Sequence, residues 1–115
     1  MRATVLLVAI VAFATSPSAL AADAAYVGTW STHAAKCAVP QSMQDAPMIV
    51  RSDGYDQHEA HCKFASVKKT KTGWRVAAKC SVEGDSASLS FTLTVRGGTL
   101  TMREGKVPRT FQRCP

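Results

Sequence analysis

The sequence predicts an all-β fold: a small antiparallel up-and-down β barrel, or barrel-like meander, of about seven strands with two disulfides. Three observations predict it. From residue 48 onward apolar and polar residues alternate with a period of two, and no amphipathic helical pattern is sustained. Turn-forming residues punctuate that alternation at short intervals. Four cysteines fall in a chain of 115 residues, an even count that suits two bridges.

Tyr26-Val27-Gly28-Thr29-Trp30-Ser31 reads as the first strand. Residues 34–47, with Pro40 and Pro47, read as a long loop with room for one helical turn. Met48-Ile49-Val50-Arg51 is a short strand ended by Ser52-Asp53-Gly54. Two long strands follow, about 58–68 and 74–82, joined by Lys69-Thr70-Lys71-Thr72-Gly73. Glu83-Gly84-Asp85 turns the chain into strand 87–95, and Arg96-Gly97-Gly98 turns it again into 99–103. Glu104-Gly105-Lys106 leads through Pro108 to a last strand, about 109–114. In strand 87–95 Leu89, Phe91, Leu93 and Val95 share one face and Ser88, Ser90, Thr92 and Thr94 the other, so one face is core and one meets water. Leu100 and Met102 continue the core face, and Trp74, Val76, Ala78, Cys80 and Val82 form the apolar set of their strand.

The N-terminus predicts export. Arg2 precedes an apolar run from Val5 to Ala14, which Ser16-Pro17-Ser18 ends before the small-x-small site Ala19-Leu20-Ala21. That is the layout of a cleaved secretory signal, and the run is too short for the roughly 20 residues of a membrane span. The expected domains are a signal peptide, 1–21, and one secreted β domain, 22–115, of 94 residues. Arg2 leaves with the signal, so thirteen basic and eight acidic residues remain, a net charge of +5. The chain has no Asn and hence no N-glycosylation sequon, which suits a bacterial periplasmic or secreted protein.

Cys37, Cys62, Cys80 and Cys114 are separated by 24, 17 and 33 residues, without a C-x-x-C knuckle, which points away from zinc and from thioredoxin-like chemistry. If the 58–82 hairpin is centred on Lys71, opposed residues sum to 142, which sets Cys62 against Cys80 and Phe64 against Ala78. Cys62–Cys80 with Cys37–Cys114 is therefore the favoured pairing, and Cys37–Cys62 with Cys80–Cys114 is the alternative.

Gly28-Thr29-Trp30 resembles the G-x-W that opens the first strand of calycin barrels, the lipocalins and avidin-like proteins. The resemblance implies that Trp30 packs at a closed barrel end under an arginine of the last strand, Arg109 or Arg113, so that Gly28, Trp30 and these arginines are structural residues. The secreted bacterial inhibitors of alkaline metalloproteases share such a barrel; they typically carry one disulfide, and their inhibitory N-terminal segment has no counterpart in Ala22-Asp23-Ala24-Ala25. The mature chain also looks like a group of small uncharacterised periplasmic proteins of alphaproteobacterial type. The shared features are the G-x-W start, Glu59 and Cys62, Trp74 with Cys80, Glu83 and Gly84, and a terminal Arg113-Cys114.

Chemistry-bearing patterns are few. His58-Glu59-Ala60-His61 is not an H-E-x-x-H zinc motif, and on a strand the two histidines would point to opposite faces. No G-x-S-x-G elbow, spare cysteine or phosphate-cradling glycine loop is present, so no catalytic residue, metal ligand or cofactor is assigned. Residues 60–82 are strongly basic, with Lys63, Lys68, Lys69, Lys71, Arg75 and Lys79 and no acid. Lys63, Lys69, Lys71, Arg75 and Lys79 are the candidate partner-binding residues. The partner they suit is an acidic protein or anionic envelope surface rather than nucleic acid, since no aromatic residue is interleaved to stack bases. The aromatic residues Trp30, Trp74, Phe64, Phe91 and Phe111 are expected to fill the barrel. The expected function is that of a non-enzymatic binding protein, extending to an inhibitor of an exogenous hydrolase such as a protease or lysozyme, acting through the 63–79 hairpin or the 34–47 loop. The alternatives are a small-ligand carrier that uses the barrel interior and, ranked last, an enzyme or metal protein that would need His58, Glu59 and His61 to converge.

Overall fold

A computed structural model describes residues 8–12 and 24–115. The expected signal peptide, 1–21, and its expected cleavage site after Ala21 lie outside the described residues, apart from 8–12. No helix among the described residues is long and apolar enough to cross a membrane.

Eight antiparallel strands close into a barrel in chain order: β1 Gly28–Ser31, β2 Met48–Arg51, β3 Gly54–Gln57, β4 Ala60–Lys69, β5 Trp74–Val82, β6 Asp85–Arg96, β7 Thr99–Glu104 and β8 Val107–Arg113. Pairing of Trp30 with Arg113 and of Ser31 with Gln112 closes the ring, so no edge strand is left unpaired. The helical turn expected in the 34–47 loop is a short 3-10 helix, Ala34–Lys36.

Eight strands stand where seven are expected, because Gly54–Gln57 forms strand β3 instead of continuing the turn after β2. Gly54–Gln57 pairs with both β2 and β4, and the chain reverses at His58-Glu59 rather than running on as strand from 58. His58 makes that reversal with φ 53, a left-handed conformation in which His is enriched though no Gly, Asn or Pro announces it. The β5–β6 hairpin uses the same device, with Glu83 at φ 52 and Gly84 at φ 85, the two positive angles of a type I′ turn.

Both disulfides follow the favoured pairing, Cys37–Cys114 with Cα atoms 5.6 Å apart and Cys62–Cys80 at 4.0 Å. The expected register holds from Cys62↔Cys80 to Phe64↔Ala78, then slips by one residue at a bulge between Phe64 and Ser66. Beyond it Val67 faces Val76 and Lys69 faces Trp74, so the centre assigned to Lys71 fits only one half of the hairpin.

Alternation places one row of every strand inside. Trp30, Met48, Val50, Val76, Phe91, Leu93, Leu100, Met102 and Phe111 are all 4% exposed or less. Tyr26 and Tyr55 join them: Tyr26 packs edge-on to Trp74 at 5.0 Å and Tyr55 to Phe91 at 6.2 Å. The Trp30 indole donates to the Tyr26 carbonyl at 2.9 Å, which satisfies its buried N–H. Arg113 is the arginine that covers Trp30, its guanidinium 4.2 Å from the ring, and it also donates to the carbonyls of Ala25 and Val27 at 2.8 and 3.2 Å. Arg109 lies over Phe111 instead, at 5.2 Å. Gly28 stands at φ 152, and a Cβ there would meet the Arg113 guanidinium at 2.6 Å. The glycine and the arginine therefore serve one local arrangement.

Candidate functional site

The inward rows are packed, and the remaining strand positions face outward. The ladder pairings place outward side chains in rows that cross the strands. One row runs Arg51, Gly54, Lys63, Lys79, Ser88 from β2 to β6. A second runs Asp56, His61, Ser81, Ser86 from β3 to β6. A third runs Lys68, Arg75, Thr92, Arg103 from β4 to β7. The next two pair Thr94 with Thr101 and Arg96 with Thr99.

The wall formed by β4 to β7 thus presents Lys63, Lys68, Arg75, Lys79, Arg96 and Arg103 outward. Asp85 and Glu104, the acids of these strands, fall in the inward register at the rims. Ion pairs within 4.0 Å among the described residues engage Lys36, Arg51, His58 and His61 but none of the six wall cations. Lys63 directly opposes Lys79 and Lys68 directly opposes Arg75. Such facing like charges destabilise a sheet by a few tenths of a kcal/mol or more, roughly the 0.2–1 kcal/mol of a cross-strand pair.

The bulge divides the predicted basic set. Lys63, Arg75 and Lys79 share the wall, as does Lys68. Lys69 does not: beyond the bulge its side chain is on the inner register, with the ammonium 4.7 Å from the centre of the Trp74 ring. Lys71 sits in the 70–73 turn, outside the strand ladder. Arg96 and Arg103 are the wall residues that sequence reading missed. The Gly97-Gly98 hairpin was the available signal, because it sets Thr92 opposite Arg103 and so brings Arg103 beside Arg75.

A cleft of about 710 Å³ opens over the first two rows, with Cys62 and Cys80 among its lining. Gly54 is required there, since a Cβ would come within 2.2 Å of the Cys62 carbonyl. The acids of this cleft are already engaged. Asp56 accepts from Arg51 and its Oδ1 lies 2.7 Å from His61 Nδ1, while Asp53 lies 3.7 Å from Arg51. Partial burial pushes the Asp56 carboxyl up, but the hydrogen bonds from His61 and Arg51 together with their charges outweigh it and hold it below the ordinary value. Lys63 and Lys79 remain without a carboxylate partner.

His58, Glu59 and His61 do not lie on opposite faces. His58 is in the turn rather than on a strand, and all three line a small cleft with Ser81 and Glu83. Their rings are committed elsewhere: His58 Nδ1 lies 2.9 Å from the Gln41 carbonyl and His61 Nδ1 meets Asp56. Among the described residues no group of three His, Cys, Asp or Glu side chains is placed to hold a metal ion.

The 34–47 loop is braced. Gln41 donates to the Pro47 carbonyl and accepts from the His58 amide, both at 2.8 Å, and Gln57 donates to the Ala46 carbonyl at 3.2 Å. Cys37–Cys114 ties its start to the end of β8, and Met43 stands 54% exposed upon it.

No protein family, curated protein or solved structure matches this chain.

Proposed function

We propose that this chain is an exported, non-enzymatic binding protein that recognises an acidic partner through the outer wall of β4 to β7. The observation that carries the reading is that wall's charge: six outward cations without an ion-pair partner and no outward acid. Facing cations that cost stability are retained here without internal compensation, which fits a surface neutralised by something bound to it. Two disulfides fit folding in an oxidising compartment, in line with export. The packed inward rows favour this reading over a small-ligand carrier, since the 710 Å³ cleft lies on the outer face.

Inhibition of an exogenous hydrolase is a second reading, favoured by the braced 34–47 loop with its exposed Met43. A loop held in one conformation avoids ordering cost on binding. Charge narrows the target to a hydrolase with an acidic face.

The test is capture by the immobilised, oxidised protein of poly-L-glutamate, poly-L-lysine and secreted hydrolases of either net charge, at low and high salt. Capture of acidic members alone, lost at high salt and in the double variant Lys63→Glu, Lys79→Glu, supports the wall as the binding face. Equal capture of basic members, or indifference to charge reversal, contradicts it. Slowing of a captured hydrolase that Met43→Asp abolishes supports the second reading.

A further inference from the structure

Three clefts follow one another along the outer face of β6. The first holds Ser86 and Ser88 beside Lys63 and Lys79, and is also lined by Asp53 and Asp56, both paired with Arg51. The next, about 190 Å³, holds Ser90 and Thr92 beside Arg75 and Arg103. The last, about 270 Å³, holds Thr92 and Thr94, with Thr99 and Thr101 of β7, between Arg103 and Arg96. Thr92 and Arg103 line both of the last two clefts, so these are contiguous. From Ser86 to Arg96 this line runs roughly 33 Å at about 3.3 Å per strand residue.

What is missing from the line matters as much as what lies on it. Phe91, of the inward row, is part of the lining of the second cleft, but none of the outward side chains along the line is aromatic or a large aliphatic. Protein interfaces draw most of their affinity from aromatic and other apolar anchors seated in pockets, with arginine as the main charged contributor. Single-stranded nucleic acid is usually held by aromatic platforms under its bases. Hydroxyls set between cations offer a different complement: donors and acceptors for the hydroxyls of a sugar, and unpaired ammonium and guanidinium groups for its anionic substituents.

Resting on the reading of the wall as a face for an acidic partner, we infer that the partner is a linear anionic polysaccharide. It lies along β6, with its carboxylate or sulfate groups at Lys63 and Lys79, at Arg75 and Arg103, and at Arg96. The two ends of the line are independent handles on this arrangement. Lys63 and Lys79 act at one end, and Arg96 and Arg103 at the other, so a bound chain engages both.

The test measures binding of the oxidised protein to polygalacturonate and dextran sulfate of graded length, with neutral dextran, poly-L-glutamate and double-stranded DNA as comparisons. The expected result is salt-sensitive binding to both anionic polysaccharides that tightens with length until the chain covers the line, with none to neutral dextran. Lys63→Glu with Lys79→Glu, and separately Arg96→Glu with Arg103→Glu, should each weaken binding by about tenfold or more and lower the salt dependence by about one counterion per lost contact. Circular dichroism and the oxidised state of the cysteines establish that each variant is folded. Tighter binding to poly-L-glutamate or DNA than to the polysaccharides overturns this inference and leaves the acidic-partner reading standing. Indifference to the Arg96 and Arg103 reversals overturns the continuous track. Failure of every polyanion to bind overturns both.

Discussion

Arg113 closes its end of the barrel with one side chain. Its guanidinium lies over Trp30 and occupies two carbonyls of the N-terminal segment that precedes β1. A cation–π contact contributes about 0.5–2 kcal/mol, and hydrogen bonds from a charged donor about 1.5–3 kcal/mol each at best. Because this arginine is partly solvated, Arg113→Ala is predicted to cost about 1–3 kcal/mol, read from urea denaturation, with a red shift of Trp30 emission. Arg109→Ala, which uncovers only the Phe111 edge of the barrel, should cost less. Asp56 makes a prediction in pH. Its carboxyl is held below the ordinary value, so the stability it contributes is present above the unfolded aspartate pKa of about 3.9 and is lost as pH falls through the lowered folded value. Asp56→Asn should therefore be less stable than wild type near pH 7 and converge with it in strong acid, as judged by urea midpoints. Equal destabilisation at both ends of the pH range would mean that the carboxylate charge is not what matters.

At the scale of elements, the two disulfides do different work. Cys37–Cys114 spans 77 residues and pins the long loop to the end of β8, while Cys62–Cys80 spans 18 and joins neighbours already paired in the β4–β5 ladder. On chain-entropy grounds the first constrains the unfolded chain by about 4–5 kcal/mol and the second by about 3 kcal/mol. Replacing Cys37 and Cys114 by Ala should thus lower the denaturation midpoint more than replacing Cys62 and Cys80. The strands from β5 to β8 were legible in the sequence because their alternation is clean and glycine turns separate them. β3 was not, since His58-Glu59 turns without a conventional turn residue. The bulge near Ala65 was not legible either: one extra residue leaves no compositional mark. Yet it is what moves Lys69 from the basic wall to the rim above Trp74.

For the whole molecule, closure of eight strands commits the inward rows to packing and leaves the outer wall and the 34–47 loop as surfaces a partner can meet. Half of the candidate site was legible: Lys63, Arg75 and Lys79 follow from one hairpin register. Arg96 and Arg103 required the registers of two further hairpins, each readable alone but only meaningful once the barrel sets β4, β5, β6 and β7 side by side. On the proposed reading the partner binds this wall rather than the interior or the histidine cleft. Amide chemical shifts followed by NMR during titration with a polyanion test it directly. Binding at the wall predicts saturable, salt-sensitive shifts at outward positions of β4 to β7, centred on Lys63, Lys79, Thr92 and Arg103. Shifts centred instead on Phe91, Leu93 and Met102 inside the barrel, or on His58 and Glu59, would contradict it.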